Sequence, residues 1–163
     1  MRFKKIKDFV EGVLQPSVDF IRKSRNRSTM PYGEMKKVLE VFFPRTRHAP
    51  QGNGFYKHVF IIHFGKRKLA SKMGRRRKDI RKDYTTYKQL RKRAGKKANR
   101  NFAKIYWESG LFMLQKYGKG VAVPARERER LRRFGTRYGL KDLRDANIMK
   151  VDRTFKIVDA ERR

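Results

Sequence analysis

The sequence contains no cysteine, so neither a disulfide framework nor a cysteine-based metal site can form. It also lacks any apolar run of about eighteen residues, and no transmembrane span is therefore expected. The basic start, Met1 to Lys5, is not followed by an apolar segment, which argues against a secretory signal. These absences are compatible with a reducing compartment, and we expect a cytoplasmic protein.

Acidic residues are scarce, because 15 Asp and Glu stand against 46 Lys and Arg, for a net charge of +31. A folded chain this basic repels itself and is expected to bind a polyanion. Nucleic acid (RNA before DNA), an anionic membrane surface or an acidic protein would each serve, and a merely solvated surface is the alternative. The 12 Phe, 7 Tyr and 38% hydrophobic residues argue against disorder and can support a modest core.

Several common catalytic and metal-binding patterns are also missing. The three histidines have no metal-ligand spacing with one another or with acids. The chain has no Gly-x-x-x-x-Gly-Lys-Ser/Thr phosphate loop and no arrangement typical of a Ser-His-Asp nucleophile.

The few acids cluster near the end of the chain, where five of the 15 fall between Asp142 and Glu161. Residues 147–149 and 155–158 are apolar runs typical of strands, and a turn between them predicts a hairpin. The loop entering that hairpin and the exit from it both carry acids. Carboxylate and amide oxygens are the ligands that Mg²⁺ prefers. The alternative is a surface hairpin whose acids are only solvated.

Residues 140–147, Leu-Lys-Asp-Leu-Arg-Asp-Ala-Asn, resemble the catalytic loop of the protein-kinase-like superfamily, with Leu-Lys where His-Arg is common. Residues 158–161, Val-Asp-Ala-Glu, resemble its metal-binding strand end, with Ala-Glu where Phe-Gly is usual. The resemblance implies that Asp142 orients the acceptor hydroxyl and takes its proton. It also implies that Asn147 and Asp159 bind Mg²⁺.

A glycine-containing segment lies far upstream of that loop. Residues 52–59 match Gly-x-Gly-x-x-Gly-x-Val, except that Lys57 stands at the third glycine. Two strands, 59–62 and 69–72, are expected to follow, joined by a turn. An ordinary hairpin turn explains the glycines equally well when they are considered alone.

The resemblance gives roles to this segment as well. Backbone N–H groups at Gly52 and Gly54 would approach the phosphates of ATP, and Val59 and Ala70 would border the nucleotide. Lys72 would contact the α and β phosphates. Alone, Lys72 is unremarkable in so basic a stretch.

Residues 79–93 have apolar positions at helical spacing, which predicts an amphipathic helix. Kinases need an acid here to pair with the strand lysine, and we expect Asp83 first and Asp79 second. A salt bridge within the helix is the alternative. Gly95, Asn99 and the charge density predict a loop after the helix. The basic residues flanking the helix predict a nucleic-acid-binding face: Arg75, Arg76, Arg77, Lys78, Arg91, Lys92, Arg93, Lys96 and Lys97.

Residues 102–107 and 111–117 predict paired strands, and the resemblance implies that Gln115 and Tyr117 border the adenine. Pro124 is expected to open a helix over 125–134. Before all of these motifs, apolar stripes predict short helices that brace the sheet.

Together these patterns predict an α+β protein with a reduced bilobal kinase-like fold. We expect a basic helical extension (1–50), a β-rich N-lobe with one main helix (51–118) and a truncated C-lobe carrying the hairpin (119–163). The implied function is an ATP- and Mg²⁺-dependent phosphotransferase, a small atypical kinase or ATPase, acting near a polyanion such as RNA. It resembles small atypical members of the superfamily, such as the RIO-type ribosome-assembly kinases and the kinase of the tRNA-threonylcarbamoyl complex. The alternative is a catalytically degenerate kinase-like fold that serves as a nucleic-acid-binding or scaffold protein.

Overall fold

The computed structural model describes residues 6–16, 19, 36–37, 39–41, 47–53, 57–74, 77–109 and 112–162. Over these residues the protein has the expected α+β class, with one five-stranded sheet and two two-stranded sheets. The chain folds as two compact units. The first comprises Met1–Arg81 and Tyr106–Gln115, and the second comprises Lys82–Ile105 and Lys116–Arg163. The boundaries expected from the sequence, after residues 50 and 118, stay predictions.

The first unit is built on the five-stranded sheet. Its strands lie in the order β1-β2-β3-β5-β4, and β2 pairs antiparallel with both β1 and β3. Helix α1 precedes the sheet and continues as a π-helical turn, Val10–Leu14, and residues 36–37 and 39–41 are also helical. The element bounds are α1 Ile6–Phe9, β1 Arg47–Asn53, β2 Lys57–Phe64, β3 Arg67–Gly74, β4 Ile105–Glu108 and β5 Phe112–Lys116.

One face of this sheet packs against the N-terminal helices. Side chains alternate between the two faces of each strand, so every second residue contributes to this packing. Phe60 and Ile62 of β2 and Leu69 and Met73 of β3 are all buried in one core cluster. Helical residues complete the cluster, chiefly Phe9, Val10, Leu14 and Leu39. Burying each such side chain contributes roughly 1.5–3 kcal/mol. The expected packing of the helical extension on the sheet is therefore confirmed for the described residues.

The second unit holds the helices and hairpin that follow. Residues of helix α2 belong to both units, since the division falls after Arg81. The structure confirms the predicted helices over 79–93 and 125–134 and the predicted C-terminal hairpin. Pro124 directly precedes α4. A backbone N–H at the start of a helix has no acceptor within the helix, so proline costs no hydrogen bond there. The element bounds are α2 Arg77–Ala94, α3 Lys96–Asn101, α4 Ala125–Arg137, β6 Leu140–Lys141, β7 Ile148–Val151, β8 Thr154–Ile157 and β9 Glu161–Arg162.

The expected loop after α2 is wrong, because α3 occupies that stretch. Gly95 takes a φ of 53°, a left-handed conformation that glycine adopts without strain, and the chain turns there into α3. Ala98 is fully buried, and the Asn99 side chain accepts a hydrogen bond from the Tyr87 hydroxyl at 3.1 Å. Tertiary packing at Ala98 and Asn99 thus outweighs the glycine and the dense charge that favoured a loop.

The hairpin of β7 and β8 packs closely on the chain segments beside it. The Ala103 N–H donates to the Ile157 carbonyl at 2.8 Å, and the Lys119 and Lys150 backbones exchange two hydrogen bonds of 2.9 Å. At Gly118 an added Cβ would lie 2.6 Å from the Met149 Cβ, so only glycine lets the segment pass so near. These contacts hold the hairpin, and the loops at its ends, in one position. No helix in the described parts of the chain is long and apolar enough to cross a bilayer.

Candidate functional site

The loop from β6 to the hairpin is positioned by backbone pairing at its two ends. Gly139, with a φ of 70°, ends α4 and turns the chain into β6. β6 pairs antiparallel with β9, placing Lys141 opposite Glu161. The segment just before Asp142 therefore lies beside the segment just after Asp159.

Asp142 and Asn147 contact each other directly. The Asn147 amide nitrogen donates to the Asp142 backbone oxygen at 2.8 Å and to its carboxylate Oδ2 at 3.0 Å. Asp142 has a φ of 59°, a left-handed conformation that Asp adopts more readily than most residues. Because the amide nitrogen is committed to Asp142, the amide oxygen of Asn147 is the atom that can bind a cation.

Asp159 lies next to the same pair. The Val158 N–H donates to the Asn147 carbonyl at 2.9 Å, so the residue that follows Val158 is held beside Asn147. Asp159 is half-buried. The structure thus brings together Asp142, Asn147 and Asp159, the three residues that the sequence expected to share one site.

Arg144 is a further charged residue in this site, and its part was not foreseen. Its Nε lies 2.5 Å from Asp142 Oδ1, and its Nη2 donates to Oδ2 at 2.9 Å. The hydrogen bond and the charge of Asp142 raise the pKa of Arg144, and the charge of Asp159 adds to the rise. The arginine therefore partly neutralises the two carboxylates.

A second arginine ties the loop to α4. Arg128 donates to the Asp145 carboxylate at 2.7 Å and to the Val123 carbonyl at 3.3 Å. Asp145 opens the 3-10 turn Asp145–Asn147, so this contact holds the turn that carries Asn147. An exposed pair of this kind contributes at most about 1 kcal/mol, and its value here is mainly in orientation.

The donor set suits a hard divalent cation. Two carboxylates and one amide oxygen match the oxygen ligands of Mg²⁺, which also keeps water or phosphate oxygens in its shell. Within the described ranges, no group of three or more His, Cys, Asp and Glu residues is arranged to hold a metal by itself. Any Mg²⁺ bound by Asp159 and Asn147 would therefore need oxygens from elsewhere, such as those of a nucleotide.

Three of the residues expected to border the nucleotide, Val59, Ala70 and Lys72, occupy one face of the sheet in the first unit. Lys72 of β3 is the cross-strand partner of Val59 of β2, and directly opposed residues project on the same face. Ala70 is two positions from Lys72 and shares that face. This face is opposite the one carrying Phe60 and Ile62, which packs on the helices.

Lys72 is only 5% exposed, although lysine is among the residues least often buried. A buried ammonium needs compensating polar partners, and Lys72 has interactions of its own. Gln115 of β5 is likewise buried, and Tyr117 just beyond β5 is half-buried. Gly52 lies in β1, whereas Gly54 lies outside the described residues.

Of the two acids proposed for α2, Asp83 is 2% exposed, whereas Asp79 is half-buried. A carboxylate so deeply buried is costly unless it is paired or hydrogen-bonded, and Asp83 is not without an interaction. The pairing of Lys72 with Asp83, or with Asp79 as second choice, stays a prediction.

Six residues of the expected nucleic-acid face are solvent-exposed. Arg77 begins α2, whereas Arg75 and Arg76 lie outside the described residues. The exposed members are Lys78, Arg91, Lys92, Arg93, Lys96 and Lys97.

Comparison with known proteins adds no family to this description. No protein-family model matches the chain, and no curated protein matches it either.

Proposed function

We propose that the protein is an ATP- and Mg²⁺-dependent phosphotransferase of the kinase-like kind, acting close to a polyanion. The observation that carries this proposal is the meeting of Asp142, Asn147 and Asp159, which come from a loop and from the far end of a hairpin. The order of β-rich sheet, one main helix and catalytic hairpin supports it, and so does the shared face of Val59, Ala70 and Lys72.

Each residue has a defined task in this proposal. Asp142 accepts the proton of the acceptor hydroxyl and orients that hydroxyl. Lys72 binds phosphate oxygens by charge, and its burial strengthens that interaction. Asp159 and Asn147 would hold Mg²⁺, which supplies charge neutralisation at the phosphates when bound. Arg144 holds the Asp142 carboxylate in place.

Calorimetric titration with ATP tests the proposal, in the presence of Mg²⁺ and again with EDTA. We expect binding that depends on Mg²⁺ in the wild type and loses most of that dependence in Asp159→Asn. Asp152→Asn is the matched control, since Asp152 lies in the turn at the other end of the hairpin and pairs with Lys116. Absence of ATP binding by the wild type with Mg²⁺ would reject the phosphotransferase.

The alternative function is a kinase-like fold without catalysis, serving as a nucleic-acid-binding or scaffold protein. The ion pair of Arg144 with Asp142 favours it, because a paired carboxylate is a weaker base. Lys57 at the position of the third glycine favours it as well. ATP binding without phosphoryl transfer or hydrolysis in the wild type would select this alternative.

A further inference from the structure

A pocket of about 650 Å³ lies in the second unit, formed by α3, α4 and the hairpin of β7 and β8. Its volume is within the range of pockets that hold small organic ligands. Its charged lining residues are Arg100, Arg130, Arg153, Lys156 and Glu127, and its aromatic residue is Phe155. Neither the proposed phosphotransfer site nor the expected nucleic-acid face includes any of these residues.

The pocket carries an excess of positive charge. Among the described residues that line it, the one carboxylate is that of Glu127, whose Oε2 accepts hydrogen bonds from Arg130 at 2.9 and 3.1 Å. Among the lining residues no carboxylate remains for Arg100, Arg153 or Lys156. Three positive charges around one cavity repel one another, and an anion bound among them would relieve that repulsion.

The environment of Lys156 shows the same crowding. Its Nζ donates to the Asn99 carbonyl at 2.6 Å, which holds the ammonium at the pocket. Desolvation by burial is the main cause that lowers its pKa, the charges of Lys116 and Arg130 lower it further, and Asp152 opposes them. Lys116 is itself ion-paired with Asp152. The ammonium is therefore held in place at a cost, as expected of a group arranged to meet an anion.

The pocket also offers flat surfaces in fixed positions. Arg130 donates to the Phe155 carbonyl at 2.9 Å and contacts Asn101, in addition to its bonds with Glu127. Its planar guanidinium is therefore pre-positioned, and the half-buried Phe155 lines the same pocket. Aromatic rings and guanidinium planes are the groups on which unpaired bases stack.

We propose that this pocket binds one nucleotide of a single-stranded nucleic acid, with its phosphates on Arg100, Arg153 and Lys156 and its base against Phe155. Phosphodiester anions suit the unneutralised cations, and the ring explains why the partner is a nucleic acid rather than a purely anionic surface. The net charge of +31 would draw the strand to the protein from a distance. This site does not depend on phosphotransfer.

The first test uses fluorescence anisotropy of the full chain with a labelled oligouridylate of about 10 nucleotides, over a series of salt concentrations. We expect Arg100→Ala/Arg153→Ala to weaken binding about tenfold at about 0.1 M salt. The magnitude of the slope of log affinity against log salt is expected to decrease by about 1.4, because each of the two lost phosphate contacts contributes about 0.7 on a single strand. The matched control, Arg126→Ala/Arg132→Ala, removes two exposed α4 arginines outside the pocket. It is expected to change affinity less than about twofold.

The second test separates base stacking from charge. We expect Phe155→Leu to lower oligouridylate affinity about fivefold, near the lower end of what one stacked base contributes, with no change in affinity for inorganic polyphosphate. Equal losses from the pocket pair and the control pair would overturn the pocket site. A pocket-pair loss seen only with polyglutamate would overturn it in favour of an acidic protein partner. A Phe155→Leu loss equal for polyphosphate and oligouridylate would overturn the base contact.

Discussion

Gly135 of α4 and Leu143 of the candidate catalytic loop are in such close contact that a side chain at position 135 would require Leu143 to move. A Cβ added to Gly135 would lie 2.0 Å from Leu143 Cδ1, far inside any real contact distance. Leu143 directly follows Asp142, and Gly135 is buried. The packing of the helix therefore sets the position of the loop that carries the proposed base.

Gly135→Ala is expected to displace Leu143 and, with it, Asp142. We expect a loss of about 1–3 kcal/mol in the free energy of unfolding, measured by urea denaturation, and reduced phosphoryl transfer. Gly12→Ala is the matched control, because Gly12 is helical with nothing within 4 Å of an added Cβ. That control is expected to be neutral or stabilising. A Gly135→Ala protein as stable and active as Gly12→Ala would contradict the positioning role.

Asp142→Ala is expected to abolish phosphoryl transfer or ATP hydrolysis while leaving ATP affinity nearly unchanged. A general base acts on the acceptor rather than on the nucleotide, so its removal lowers kcat far more than it raises KM. A coupled assay of ADP release measures phosphoryl transfer or hydrolysis, and calorimetry measures the affinity for ATP. Glu129→Ala, which removes an exposed acid of α4 that pairs with Arg133, is expected to keep most of the activity. Wild-type turnover in Asp142→Ala would make Asp142 a loop acid with no catalytic part.

Asp83→Ala is expected to destabilise the protein by about 3 kcal/mol, since it removes a carboxylate that is 2% exposed. Asp79→Ala, a change of the same residue type four positions earlier on α2, is expected to cost less than about 1 kcal/mol. Urea denaturation monitored by circular dichroism compares the two variants. Equal destabilisation would show that burial of Asp83 does not distinguish the two acids in stability.

Lys156 is expected to make folding less favourable at neutral pH than in mildly alkaline solution. Its pKa is lower in the folded protein than its ordinary value, chiefly because of burial. Between those two values the unfolded chain binds more protons, so stability rises with pH. The stability of the wild type relative to Lys156→Gln is therefore expected to increase as pH rises through that window.

Urea denaturation of both proteins at several pH values up to the ordinary lysine pKa measures this difference. Lys150→Gln, at an exposed position of the same hairpin, is the control and removes the same charge. A difference that stays constant or decreases with rising pH would contradict the assignment.

Much of the secondary structure followed from patterns that are local in the chain. An apolar run at 59–62, followed by a turn and the segment 69–72, predicted β2 and β3, and the helical spacing of Ile80, Tyr87 and Leu90 predicted α2. α3 was missed because its support comes from Tyr87, which is distant in sequence from Asn99. Local propensity cannot include a contact that only packing creates.

The candidate site could be predicted in part because its residues lie close together in the sequence. Asp142 and Asn147 are five residues apart, so a short loop brings them together almost regardless of the rest of the chain. Asp159 joins them because a two-residue turn folds β8 back on β7. The ion pair of Arg144 was also within local reach, but the sequence pattern assigned that residue no part.

The sequence by itself determined the strongly positive charge of this protein, the positions of most of the described helices and strands, and the oxygen-rich residues around the hairpin. These follow from residue type and from spacings shorter than one hairpin. Only the tertiary structure decided that Gly135 supports Leu143, and that Arg100, Arg130, Arg153 and Lys156 line one pocket. The pocket residues come from segments that lie far apart along the chain, and Gly135 meets Leu143 only because the chain turns back after α4. They depend on how buried faces pack together, which no local pattern encodes.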